Sequence, residues 1–348
     1  MKNLKRLIFV FLIVLGIYFY FKDPEAFQRE TTDLNKKEVL LEKKEQIQNP
    51  LQRDYKIALD EWIGQSVDQL IEKYGDPIRK DLSEYNYTSY VYMDELNSYL
   101  SFGIEKEKIV TVLGTGRNLD LGTFKIGDTY EDVLNKVDFE KEISFRRGTS
   151  MYTIKLTEED LLTRPISQID QNNFIQFYFD IINNHLIAVR ILTADTLLLH
   201  GGFDIFYRGQ LPEKQQLSAE EQSLIARNKE KQIVDITNIF REFYGKRSLQ
   251  ISESVQTVAF LHSEDMARND YFSHESKSGK TLADRLSEQN ISFKLAGENI
   301  AFNYIDALAV VVGWLNSEGH RESLLNDEFT HIGVGVYKSH YTQNFIKN

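Results

Sequence analysis

Not one of the 348 residues is cysteine. That absence removes every covalent staple, so whatever this chain folds into must be held by side-chain burial alone. It also excludes thiol nucleophiles and cysteine-based zinc sites. The chain has the material for burial-driven folding: 42% of its residues are hydrophobic and 27% charged, the proportions of a globular protein. At roughly 100–200 residues per domain, its length predicts two folded units with connecting segments. The net charge of −11, with no clustered Lys/Arg stripe, argues against a nucleic-acid partner.

The absence of disulfides does not exclude export, and the N-terminus carries an export signal. Lys2, Lys5 and Arg6 precede an unbroken apolar run over residues 7–21, closed by Lys22. As a helix the run spans about 22 Å, against a hydrocarbon core of about 30 Å. Tyr18 and Tyr20 suit the membrane interface, and the flanking lysines can extend to it. No small-x-small cleavage site follows, so residues 1–22 read as a signal anchor, the alternative being a cleaved signal peptide that releases a secreted protein. The positive flank orients the rest of the chain outside the cell. Residues 23–59 are dominated by Glu, Lys, Gln and Asp with no heptad, and read as a solvated, partly helical stalk.

Residues 60–200 contain an internal repeat. Ile63, Gly64 and Ser66 introduce Val67, Leu70 and Ile71 at helical spacing; Ile126, Gly127 and Thr129 introduce Tyr130, Val133 and Leu134 in the same way. Strand-like segments follow each copy: 87–93, 99–104 and 109–113 after the first, and 143–147, 151–156, 174–181 and 185–192 after the second. Their aromatic and β-branched alternation, with Asn183-Asn184 at a turn, predicts antiparallel hairpins and hence one α+β domain. Nothing in it points to chemistry; His185 and His200 stand alone. Residues 201–227 read as a linker and a helix start, with a capping box at Ser218 and Glu221.

From residue 228 onward a helical stripe of Ile233, Ile236, Phe240 and Phe243 ends at Gly245, and a second helix follows with Val255, Ala259, His262 and Met266 on one face. His262 there reads as a core histidine. Four segments then arrive in order: Tyr271-Phe272-Ser273-His274; Gly297-Glu298-Asn299; Trp314-Leu315-Asn316-Ser317-Glu318-Gly319-His320-Arg321; and Phe329-Thr330-His331-Ile332-Gly333-Val334-Gly335-Val336. Residues 307–314 are apolar nearly all round, as in a buried helix. The alternating glycines of 332–336 suit a strand that turns back into 341–345.

These segments, in this order, resemble the CAP superfamily (cysteine-rich secretory, antigen five and pathogenesis-related proteins; SCP-like domains) in its cysteine-free bacterial form, over about residues 228–348. The repeat domain resembles the CAP-associated N-terminal domain of Firmicute proteins and, loosely, the repeats of beta-lactamase inhibitor protein. The resemblance implies a C-terminal α-β-α sandwich; with the two-repeat α+β domain and the N-terminal membrane helix read above, the whole chain is expected to be α+β. It also implies a cavity lined by two histidines and two glutamates, matched here by His274, Glu298 and His331. The second glutamate falls on Ser317, with Glu318 beside it, and the Ser-x-x-His pattern of bacterial members is met by Ser317 and His320.

Two neutral imidazoles and a carboxylate can hold a divalent ion such as zinc, with Glu298 as base, or can form a hydrogen-bonded network. Ser317 has a plainer role as helix N-cap and Glu298 as an acceptor in a turn. Three readings follow. The first is a binding protein that takes a lipid, a cell-wall fragment or a peptide; the second is a metal-dependent, peptidase-like hydrolase using His274, His331 and Glu298. The third is a surface interaction protein with an inert cavity.

Overall fold

The computed structural model describes residues 59–93, 98–117, 119 and 121–348. The expected membrane helix, and the stalk up to residue 58, lie outside them; among the described residues no helix is long and apolar enough to cross a membrane.

Both repeat copies open as the sequence predicts. In α1 (Val67–Tyr74) the Ser66 hydroxyl accepts from the Gln69 backbone N–H while the Gln69 side chain accepts from the Ser66 N–H. Thr129 and Asp132 repeat this reciprocal cap on α2 (Tyr130–Leu134). Each box satisfies donors that a helix start leaves orphaned. The strands of the first copy are β1 (Arg79–Leu82), β2 (Thr88–Met93), β3 (Tyr99–Glu105) and β4 (Lys108–Thr115). The second copy contributes β5 (Glu142–Arg147), β6 (Ser150–Lys155), β7 (Ile166–Gln168), β8 (Asn173–Asp180) and β9 (His185–Thr193). Asn184 takes a positive φ of 57° at the β8–β9 turn, a conformation asparagine tolerates well.

The two copies share one antiparallel sheet of order β1-β2-β3-β4-β9-β8-β7, joined where Thr111–Thr115 of β4 pairs with Ala188–Leu192 of β9. Hairpin β5–β6 stays outside it and forms a three-stranded sheet with β10 (Asp204–Arg208), drawn from the segment read as linker. Aromatic packing supplies the reason: the buried Tyr152 ring stacks on Phe145 at 5.3 Å and on Tyr207 of β10 at 6.4 Å. Two short helices went unforeseen, α3 (Glu158–Thr163) and α4 (Ala194–His200); a six- or seven-residue helix leaves almost no periodicity to read.

The C-terminal part contains α5 (Ala219–Phe243), β11 (Gln250–Ile251), α6 (Glu253–Asn269), α7 (Leu282–Glu288), β12 (Leu295–Phe302), α8 (Ala307–Leu315), α9 (Glu318–Leu325), β13 (His331–Tyr337) and β14 (His340–Lys347). Its sheet has the order β11-β13-β14-β12, which leaves β12 on an edge. Ile332, Val334 and Val336 share a cluster with Ile233, Ile236 and Phe240 of α5 and with α8. On the opposite face Ile346 packs with Val255 and Val258 of α6 and Leu286 of α7. The result is helices on both faces of an antiparallel sheet. In α8 every residue but Gly313 is buried. The glycines of β13 have a steric reason: a Cβ on Gly333 would lie 2.2 Å from the Gln256 nitrogen, and one on Gly335 2.0 Å from the Phe260 nitrogen. Only bare backbone lets α6 approach this closely.

The repeat domain and the sandwich share one continuous apolar cluster, in which Val91, Tyr99, Tyr178 and Ile187 pack with residues of α5 and α8. Charged and polar pairs stitch the same boundary. Arg190 pairs with Asp306, Arg79 bridges Asp81 and Asp235, and Arg321 donates to Asp180 at 2.8 Å. Asn316 donates to the Phe179 carbonyl at 2.8 Å and accepts from the Ile181 N–H at 3.0 Å. These contacts clamp both ends of α8: Asp306 caps its start, and Asn316 follows its end.

Candidate functional site

The site is built on the edge strand β12. Glu298 points from the β12 face that packs against α6 and α7, and its side chain is only 4% exposed. A buried carboxylate needs partners for both oxygens. Oε1 accepts from His274 Nδ1 at 3.0 Å, and Oε2 accepts from Arg285 Nη2 at 2.6 Å. Arg285, on α7, also donates through Nη1 to the His274 carbonyl at 2.8 Å, so one guanidinium holds both the carboxylate and the loop that carries the imidazole. His262 of α6 stands behind them with Nε2 3.9 Å from Glu298 Oε1. That Nε2 is hydrogen-bonded to the Ser273 carbonyl at 3.0 Å. A carbonyl only accepts, so Nε2 carries the proton. Burial, opposed by the Glu298 charge, lowers the pKa of His262 and keeps its ring neutral.

The consequence falls on His274. A carboxylate accepts at Nδ1, so the proton sits there and the Nε2 edge is left facing outward on a side chain that is 58% exposed. A buried carboxylate that fixes an exposed imidazole in one tautomer is the arrangement that orients a histidine for hydrogen bonding or proton transfer.

The second imidazole is His320, whose pKa is lowered by burial and then by its neighbour His274. Asn299, the residue after Glu298, donates to the His320 carbonyl at 3.1 Å and straps the first turn of α9 to β12. Ser317 occupies the N-cap position of α9 but makes no capping hydrogen bond; its hydroxyl lies 2.8 Å from His320 Nδ1 instead. Glu318 is exposed at the first position of α9, where its charge favours the helix terminus.

His331 is not brought to this group. It opens β13, and β14 lies between β13 and β12, so it stands two strand spacings, about 10 Å, from the strand of Glu298. Its Nδ1 lies 2.9 Å from the Thr330 hydroxyl. The position in the motif is a strand start, and the strand order decides against its convergence with His274. The expected metal pair His274 and His331 is therefore not assembled. Among the described residues no group of three or more His, Asp or Glu side chains has the placement to hold a metal ion. The donor chemistry agrees: both Glu298 oxygens are engaged, one by a guanidinium whose positive charge opposes a cation. Glu298 is therefore not placed as a metal ligand. Glu298 also lies in a strand and not in the expected turn. Arg285 and His262 are site residues that sequence reasoning missed; the need of a buried carboxylate for a cation was the signal pointing to an arginine on a neighbouring helix.

An α-β-α sandwich with His274, Glu298 and His320 gathered on its edge strand is the architecture of a CAP-type domain, and comparison with known proteins agrees. Residues 63–203 match the family described as CAP-associated N-terminal, and residues 234–347 match the cysteine-rich secretory protein family. The chain is 36% identical over its whole length to the "Uncharacterized membrane protein YlbC" of Bacillus subtilis, covering 99% of that protein. It therefore belongs to the CAP (cysteine-rich secretory protein) family. A solved structure of an extracellular protein containing a SCP domain from Bacillus anthracis matches with a TM-score of 0.79 and 36% identity over 87% of this chain and 99% of that one. The cysteine-rich secretory protein SAV1118 of Staphylococcus aureus shares the fold, with a TM-score of 0.76 at 23% identity over 85% of this chain and 95% of its own.

Proposed function

We propose that this protein is held at the outer face of the cell membrane by its N-terminal segment and binds a ligand in the cleft along β12. The location is supported by the basic-flanked apolar run over residues 7–21 and by the names of two 36% identical relatives, one a membrane protein and one extracellular. The observation that carries the binding reading is the construction around His274. Glu298 and Arg285 are buried and hold one half-exposed imidazole in a fixed orientation, with His320 and Ser317 as its neighbours. Rigid polar groups placed in advance lower the entropic cost of capture. Candidate ligands from outside the cell are lipids, cell-wall fragments and peptides. The test is retention of the full chain on purified cell-wall sacculi and on phospholipid vesicles, compared with the His274→Ala/His320→Ala variant. Loss of retention on one support supports the reading; unchanged retention on both, with the variant folded, rejects it.

A second reading, hydrolysis, is favoured by the Glu298–His274 pair itself, since an outward Nε2 backed by a buried carboxylate can serve as general base. It needs no metal. Mass spectrometry of sacculi and peptide mixtures incubated with the chain tests it: cleavage that persists in His274→Ala is not catalysed here.

A further inference from the structure

We infer that the ligand of this cleft is a neutral glycan, seated with one sugar on an aromatic shelf formed by Phe272 and Phe302 and the next sugar against His274 and His320. The inference rests on the cleft being a ligand site, as proposed above, and adds the chemical class. Phe272 and Phe302 are 52% and 51% exposed, and their ring centroids are 6.4 Å apart at a tilt of 49°. They are tilted and not stacked, and each keeps about half of its surface open. The His340 ring extends the shelf, 4.6 Å from Phe302.

The shelf and the polar group share one scaffold. The loop that carries Phe272 and His274 runs against β12, with His274 meeting Glu298 and Phe272 meeting Phe302 four residues further along the strand. Phe272 and His274 are two residues apart, about 7 Å in extended chain, close to the breadth of one sugar ring. Exposed aromatic surface rimmed by polar groups marks a ligand site. Aromatic faces beside directional hydrogen-bonding groups suit a molecule with C–H faces and hydroxyl edges.

Arg285 pairs with Glu298 at 2.6 Å, so the fixed charges at the polar end of the shelf offset each other, which suits an uncharged ligand.

The experiment is isothermal titration of the full chain in detergent micelles with a β-1,4-linked N-acetylglucosamine tetramer. Binding is expected, weakened at least tenfold in Phe272→Ala/Phe302→Ala and unchanged in Phe206→Ala, which removes an exposed ring on β10. Thermal midpoints serve as the folding control, since both shelf rings are half exposed. Equal affinity in the double variant overturns the inference. If the tetramer gives no heat while His274-dependent retention on sacculi or vesicles persists, the glycan class falls and the binding cleft stands. If that retention is absent too, both fall.

Discussion

Replacing Asp306 by Asn tests how the two domains are joined. Asp306 does two jobs: Oδ1 caps α8 by accepting from the Ala309 N–H at 2.9 Å, and Oδ2 pairs with Arg190. Asn is as good a cap as Asp, so the substitution removes the charge and spares the helix. Arg190 has a side chain only 4% exposed, and its other neighbours, the His200 ring at 3.3 Å and the Tyr178 ring at 5.7 Å, are uncharged partners. Its guanidinium would be left buried and unbalanced, which costs about 3–5 kcal/mol. For a domain pair whose stability is on the order of 5–15 kcal/mol, that is a large fraction. Urea unfolding of the full chain, followed by circular dichroism and by tryptophan fluorescence, reads it. Trp62 lies in the repeat domain and Trp314 in α8, so each domain reports. The Arg190→Met/Asp306→Asn variant should recover most of the loss, because an uncharged pair of similar volume carries no stranded charge. A loss below about 1 kcal/mol in Asp306→Asn, within the range of ordinary substitutions, would refute the reasoning. So would a double variant no better than the single.

Three further outcomes follow from the same structure. Arg285→Met should cost about 3–5 kcal/mol by stranding the buried Glu298 charge, and Arg285→Met/Glu298→Gln should restore most of it, as read by thermal melts. Ser218→Ala, which removes a working cap on α5, should cost about 1 kcal/mol, read by the same melts. His200 is held at a pKa of about 3 by burial and the adjacent Arg190, below its ordinary value of about 6.5. Between those values the unfolded chain binds a proton that the folded chain does not, so stability should fall as pH drops from about 6.5 toward 3, by on the order of a few kcal/mol. Asp306 adds to the acid side: burial raises its pKa, but Arg190, His200 and the Ala309 N–H together outweigh that, and the net depression gives stability that is present at neutral pH and lost as pH falls below the ordinary carboxylate range. Urea midpoints at several pH values should show a shallower slope for His200→Asn; an unchanged slope removes His200 from the account.

Local signals in the chain determined the elements of this fold. The capping pairs at Ser66, Thr129 and Ser218 and the apolar stripe of α5 are short-range patterns, readable because a helix start and a buried face impose their chemistry within a few residues. The two glycines of β13 were equally visible, although only the packed α6 shows why they are needed. The ordered segments from Tyr271 to Val336 carried the CAP resemblance, and with it His274 and Glu298. What escaped the sequence was every decision made between distant elements. Strand order put β14 between His331 and the site. His320 was already marked by its Ser-x-x-His pattern, but only the Asn299 strap between β12 and α9 shows what holds it there. The charge of a buried Glu298 drew Arg285 from α7 to one carboxylate oxygen, and His274 took the other. The segment 201–227 donated β10 because an exposed hairpin offered Tyr207 a ring to stack on. Periodicity tells a residue which way to face; only three-dimensional packing tells it whom it meets.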